Sequence, residues 1–110
     1  MPSLIEQIDA AWERRERREV DVPEWGVKFC VWPITLKQLS LIQGEADPFL
    51  RALRIIQVRG KTESGLQMID QATYDKLAQR GVGPFGPDVV VRVAGQIMAD
   101  TPSAEDVAKN

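Results

Sequence analysis

A chain of 110 residues that is 44% apolar and 27% charged, with a formal net charge of −2, has the make-up of one small globular domain. It is too apolar for disorder throughout, and its balance of charge gives no general attraction to nucleic acid or to anionic membrane. A lone cysteine, Cys30, excludes an internal disulfide, no stretch approaches the roughly 20 apolar residues that span a bilayer, and the opening MPSLIEQIDAAWERRERR lacks a signal-peptide core, so a cytosolic protein is expected.

Ser3 followed three positions later by Glu6 is the reciprocal pattern of a capping box and predicts a helix from Leu4. Leu4, Ile5, Ile8, Ala11 and Trp12 then share one side of a 3.6-residue period. The stripe stops at Trp12, because its next place belongs to Arg15, in a run of Arg14, Arg15, Arg17 and Arg18 mixed with Glu13, Glu16 and Glu19. Residues 1–19 are expected to form this amphipathic, arginine-rich helix, with Glu13 and Arg17 spaced as an i,i+4 pair worth about 0.3–0.5 kcal/mol. A run of mixed sign is either the solvated end of a helix or an arm for a partner.

Val20 and Val22 alternate with polar residues, Pro23 to Gly26 supplies turn chemistry, and Val27, Phe29 and Val31 alternate with Lys28 and Cys30. That reads as a hairpin over residues 20–32. Ile34, Thr35, Gln38 and Leu39 occupy the N′, N-cap, N3 and N4 places of a capping box with a hydrophobic staple, predicting a helix from Leu36 to Gln43 that ends at Gly44. Asp47 caps the next helix with Pro48 in its first turn, a stripe of Phe49, Leu50, Leu53 and Ile56 faces the core, and Gly60 closes it. Lys61 to Gly65 is a polar loop, and Asp70 caps a helix over 71–80 with Tyr74, Leu77 and Ala78 inward and Gly81 as its stop.

Gly81 to Pro87 is too rich in glycine and proline to be regular, and Pro87 with Asp88 opens the last segment, residues 87–99. Val90, Val93, Ala94 and Ile97 recur there at helical spacing, while the β-branched run Val89-Val90-Val91 suits a strand on propensity, so the residues leave both open. Thr101-Pro102 ends the element, and 101–110 is a polar, flexible tail. The fold class is α+β and mostly helical: an N-terminal helix, one hairpin and about four short helices, with 20–100 as the globular domain.

Chemistry is poorly served by these residues. The chain has no histidine, which removes the commonest general base and metal ligand together. Cys30 has no partner to activate it and sits in a strand pattern, where cysteine behaves as a small hydrophobe. Gly81, Gly83 and Gly86 match the G-x-G-x-x-G spacing without the preceding strand that phosphate binding requires. Asp47, Asp70 and Asp88 are each explained by a helix start, so no catalytic residue, cofactor or metal is expected. The arginines alternate with glutamates that would repel the same phosphates, which argues against nucleic acid. Trp12, Trp25 and Trp32 all fall in the first third of the chain. Trp25, on a turn, is either a lid on the core or an exposed anchor for a partner. Trp32 shares parity with Lys28 and Cys30, so both faces of the hairpin can be covered, and a face covered by a second chain would make the protein oligomeric.

The arginine-rich start, then EVDVPEWGVKFCVWPITLKQL, then FLRALRIIQVRG, a glycine-bearing loop and the closing DQATYDKLAQRGVGPFGPDVVVRVAGQIM, together resemble the tail assembly chaperones of long-tailed phages, over Arg14 to Met98. The resemblance rests on this order of elements and on the phrase VPEWG. It implies a non-enzymatic protein of the host cytoplasm, absent from the finished virion, that binds the tape measure protein, brings tail tube protein to it and self-associates. It also implies a mostly helical fold, favouring helix over 87–99, and a longer form made by frameshifting, for which the codons of Ala108-Lys109-Asn110 are a candidate slip site. Trp12, Trp25 and Trp32 are then the expected partner contacts, with Arg14, Arg15, Arg17 and Arg18 as steering charges. Two other classes stand beside this one: a structural minor tail or connector protein retained in the virion, and a small DNA-binding regulator.

Overall fold

The computed structural model describes residues 3–100; the expected flexible tail over 101–110, with Thr101-Pro102 and Ala108-Lys109-Asn110, lies outside the described residues. Among the described residues, five α-helices and one antiparallel hairpin make an α+β, mostly helical fold in the order α1 (Leu4–Glu13), β1 (Arg18–Val22), β2 (Val27–Val31), α2 (Leu36–Gln43), α3 (Pro48–Arg59), α4 (Gln71–Arg80) and α5 (Pro87–Ile97). Short 3-10 turns occupy Pro23–Trp25, Gly83–Phe85 and Met98–Asp100.

The local signals work through the predicted atoms. The Thr35 hydroxyl accepts from Gln38 N at 3.2 Å while the Gln38 side chain accepts from Thr35 N at 3.0 Å, a complete capping box at the start of α2. Asp47 Oδ1 accepts from the N–H groups of Phe49 and Leu50 at 2.9 and 3.0 Å, and Asp70 Oδ1 accepts from Thr73 N at 2.8 Å. That bond holds the Asp70 carboxyl below its ordinary pKa, since it favours the charged acceptor. Gly60 and Gly81 end α3 and α4 as expected, yet both have ordinary negative φ values, −78° and −70°. What they supply is absence of bulk: a Cβ on Gly60 would sit 2.7 Å from Phe29 Cδ1 and from Ile56 O, and one on Gly81 would sit 2.5 Å from Phe85 O.

β1 and β2 pair from Arg18↔Val31 to Val22↔Val27, joined through Gly26 at φ 64°, the left-handed conformation that glycine adopts at least cost. The other edge of β2 is covered at one point, where Cys30 and Lys61 exchange backbone bonds of 2.8 and 3.0 Å. Phe29 and Val31 on β2 and Val20 and Val22 on β1 face Leu53 and Ile56 on α3 and Val93 and Ile97 on α5, which together form one core. Cys30 is buried on the opposite side of the strand from Phe29. α3 and α5 pack most extensively on each other, α2 adds Ile42, and α4 adds Tyr74. Residues 87–97 are helical despite their β-branched run, because the helical period places Val90, Val93, Ala94 and Ile97 together against α3.

Four expectations need correction. The first helix does not run to residue 19: it stops at Glu13, and Arg18 already pairs with Val31 as strand. The Glu13–Arg17 pair is therefore out of helical register, and Arg17 instead donates to Glu63 O at 3.0 Å. Phe49, expected in the core stripe of α3, is 57% exposed, and Ala78, expected inward on α4, is exposed as well. Both lie on a groove that the helix period alone does not distinguish from core.

Candidate protein-interaction surfaces

α1 buries none of its residues. Leu4 and Ile5 are each 72% exposed, Ile8 58% and Trp12 54%, so the whole apolar stripe faces outward. A stripe of this kind normally folds a helix onto a core. At the C-terminal end of α1 the Arg15 guanidinium lies 3.7 Å from the Trp12 ring and donates to Trp12 O at 2.7 Å.

The seven residues singled out from the sequence separate into three groups. Trp12, Arg15 and Trp32 line one cleft of about 320 Å³ with Gln38 and Lys61, and the exposed Arg14 adjoins it in sequence. Arg17 and Arg18 do structural work. Arg18 donates to Gln96 O at 3.3 Å and Ile97 O at 2.5 Å and pairs with Asp100 at 3.3 Å, tying the start of β1 to the end of α5. Trp25 is neither free nor near the cleft: its Nε1 donates to Pro84 O at 2.6 Å, its ring stacks on Phe85 at 5.5 Å, and it meets Phe29 edge-on at 6.1 Å. Of the two roles left open for it, the structure gives the lid, fastening the hairpin turn to the Gly83–Phe85 turn. Replacing Trp25 would thus disturb the fold before it reported on any partner.

A second apolar surface lies away from α1. Two adjoining hollows of about 320 and 180 Å³ share Leu77, Gly81 and Phe85, and they run between α3, α4 and the start of α5. Lys76 and Arg80, one helical turn apart on α4, form a basic rim.

Two further features were not legible as sites. Arg59 is buried in the core, where it donates to Trp32 O at 2.7 Å and Ile97 O at 3.1 Å and holds Asp100 with bonds of 3.1 and 3.0 Å. Its place three residues after Ile56, on the buried face of α3, was the available signal. On the other side of α3, Arg54 lies 4.1 Å from the Tyr74 ring, while burial raises the Tyr74 phenol above its usual value. Among the described residues no group of histidine, cysteine, aspartate and glutamate could hold a metal ion, and no helix is long and apolar enough to cross a membrane. The chain matches no protein family, no curated protein and no solved structure with which it was compared.

Proposed function

We propose that this chain is a non-catalytic tail assembly chaperone of a long-tailed phage, which holds the tape measure protein in the host cytoplasm, brings tail tube protein to it and leaves before the virion is complete. The observation that carries the reading is the outward-facing stripe of Leu4, Ile5, Ile8 and Trp12 on a helix that buries nothing of its own. A tape measure protein is long and helical with apolar stripes that aggregate when bare, and a protruding amphipathic helix covers such a stripe by side-by-side packing. Trp12 and Trp32, on one cleft with Arg15, add aromatic anchors, and Arg14 and Arg15 steer an acidic partner. Single contacts of this size are weak, so holding a long partner depends on many copies bound along it.

Co-expression with the tape measure protein of the same phage, followed by affinity capture, tests the proposal. Wild-type chain retains the tape measure protein in soluble form, and Leu4→Ala, Ile5→Ala and Ile8→Ala together reduce capture by about tenfold or more. Equal capture by both proteins, or no capture by either, overturns the assignment. Detection of the chain in washed, mature particles would instead establish a retained tail component.

A further inference from the structure

We propose that α1 of one copy seats in the groove between α3, α4 and α5 of a second copy. This names a contact for the self-association that the resemblance implies, and it does not depend on the chaperone reading, since both halves belong to this chain; the two draw on the same α1 stripe, so a copy seated in a groove does not hold a second partner with that stripe.

Three observations converge. The first is that both surfaces are bare and apolar. The α1 stripe is uncovered along ten residues, about 15 Å of helix. The groove exposes Phe49 and Phe85, 57% and 41% accessible, around half-buried Leu77 and Leu50. The walls of its larger hollow, around Leu77 and Phe85, are mostly carbon, a surface that gains by excluding water. The second is that the groove is held ready. Phe85 is stacked on Trp25, whose Nε1 donates to Pro84 O, and Gly81 N donates to Leu77 O at 2.9 Å while Phe85 N donates to Val82 O at 3.1 Å, which fastens the bend between α4 and α5.

The third is charge. α1 carries Glu6, Asp9 and Glu13, with Arg14 and Arg15 following only past its C-terminal end, where Arg15 lies on the Trp12 ring, whereas the groove is lined by Lys76 and Arg80 and no acidic residue. On a helical projection Asp9 lies beside Ile5, at the edge of the stripe, and Glu13 follows it one turn on toward the polar face. They are four residues apart, as are Lys76 and Arg80, so the acidic residue at the stripe's edge and the next one behind it can meet the basic rim of the groove.

The chain's own α1 is held away from its own groove. Arg18 fixes the start of β1 to the carbonyls at the C-terminal end of α5, and the groove lies at the N-terminal end of that helix, beside Pro87 and Val90. Arg17, bonded to Glu63 O, ties the link between α1 and β1 to the loop after α3, whose residues do not line the groove. Stripe and groove are different patches, so the contact is heterologous: every copy offers one of each, and assembly grows head to tail with concentration. One short helix in a groove is a small interface, which places the dissociation constant at about 10 µM to 1 mM.

Sedimentation equilibrium of the isolated chain across that range tests the contact with no tail protein present, so its outcome is separate from that of the capture experiment. The wild type associates beyond a dimer. Leu4→Ala, Ile5→Ala and Ile8→Ala, which retain helix propensity, weaken association by about 100-fold. Lys76→Glu with Arg80→Glu weakens it by about tenfold and more at low salt than at high. A stripe-deficient copy mixed with a groove-deficient copy carrying Phe49→Ala and Lys76→Glu gives a pair that stops at two chains, because one intact stripe meets one intact groove. Reversing both partners, with Asp9→Lys and Glu13→Lys opposite Lys76→Glu and Arg80→Glu, restores binding. A wild type that is monomeric throughout overturns the proposal, as does association that the stripe variant abolishes and the groove variants leave untouched.

Discussion

α1 and α3 have amphipathic stripes of comparable clarity, yet one helix is bare and the other is the centre of the molecule. α3 buries Ala52, Leu53, Ile56 and even Arg59, and it is packed by α2, α4, α5 and the hairpin. α1 has Leu4, Ile5 and Ile8 in the same kind of pattern and buries none of them. Periodicity therefore states that a helix has an apolar face, and the rest of the chain decides whether that face is used inside the molecule or outside it.

The sharpest way to break the contrast is at the most buried polar residue. Arg59→Met removes the donors that serve Trp32 O, Ile97 O and Asp100, and should cost about 3 kcal/mol, the low end for breaking a buried pair because Asp100 retains some access to water. Thermal unfolding should fall by about 12 °C or more, a shift that calorimetry reads directly. Arg59→Lys keeps the charge and loses the fork of donors, so it should recover less than half of the difference. A loss below about 0.5 kcal/mol for Arg59→Met would show that the end of α5 is held by Arg18 and packing alone.

Next comes Gly60→Ala, a single methyl group pressed against Phe29 Cδ1 and Ile56 O, each at 2.7 Å. Overpacking on this scale should cost about 2 kcal/mol in urea unfolding, with no change in the slope. Trp25→Ala should cost about 1–2 kcal/mol, less than a fully buried tryptophan because Trp25 is only partly buried. Its effect should appear chiefly as lost protection of the Gly83–Phe85 amides in hydrogen exchange, since Trp25 Nε1 and its ring hold that turn.

A smaller effect is set by pH. The Asp70 carboxyl titrates below its ordinary 3.8 in the folded protein, through its bond from Thr73 N, so the stability it contributes is complete above 3.8 and lost as pH falls through the folded value. Asp70→Asn preserves an acceptor for Thr73 N while removing the titration. The variant should match the wild type closely near neutrality and show a shallower decline in melting temperature on acidification. A wild-type profile that is flat through the acid range would remove Asp70 as a contributor.

These residues also show what the sequence could and could not reveal. Thr35 with Gln38, Asp47 with Pro48, and Asp70 before Gln71 announced helix starts because capping acts over two or three residues, and the structure places each start where the caps put it. The boundary at Glu13 was missed because what ends α1 is not local: Arg18 is drawn into the ladder by Val31 and held by carbonyls of α5, 78 and 79 residues away. Arg59 and the groove were missed for the same reason, each being assembled from distant segments. Trp25 was ambiguous until Pro84 and Phe85 stood beside it.

The smallest expected effect is the most informative about α1. Leu4→Ala, Ile5→Ala and Ile8→Ala together remove three large apolar side chains, which in α3 would cost several kcal/mol, as Ile56→Ala alone should cost about 3 kcal/mol. In α1 those side chains are already in water, so the triple variant should change the unfolding free energy of dilute protein by less than about 0.5 kcal/mol. Alanine keeps the helix favourable, which leaves loss of apolar surface as the only change of consequence. If stability falls by as much as in α3, the stripe is packed within the molecule in solution, and both the partner surface and the head-to-tail contact lose their basis. If stability holds while association and capture fall, the apolar face of α1 acts between chains, and the difference between α1 and α3 is one of function with the same physical force behind each.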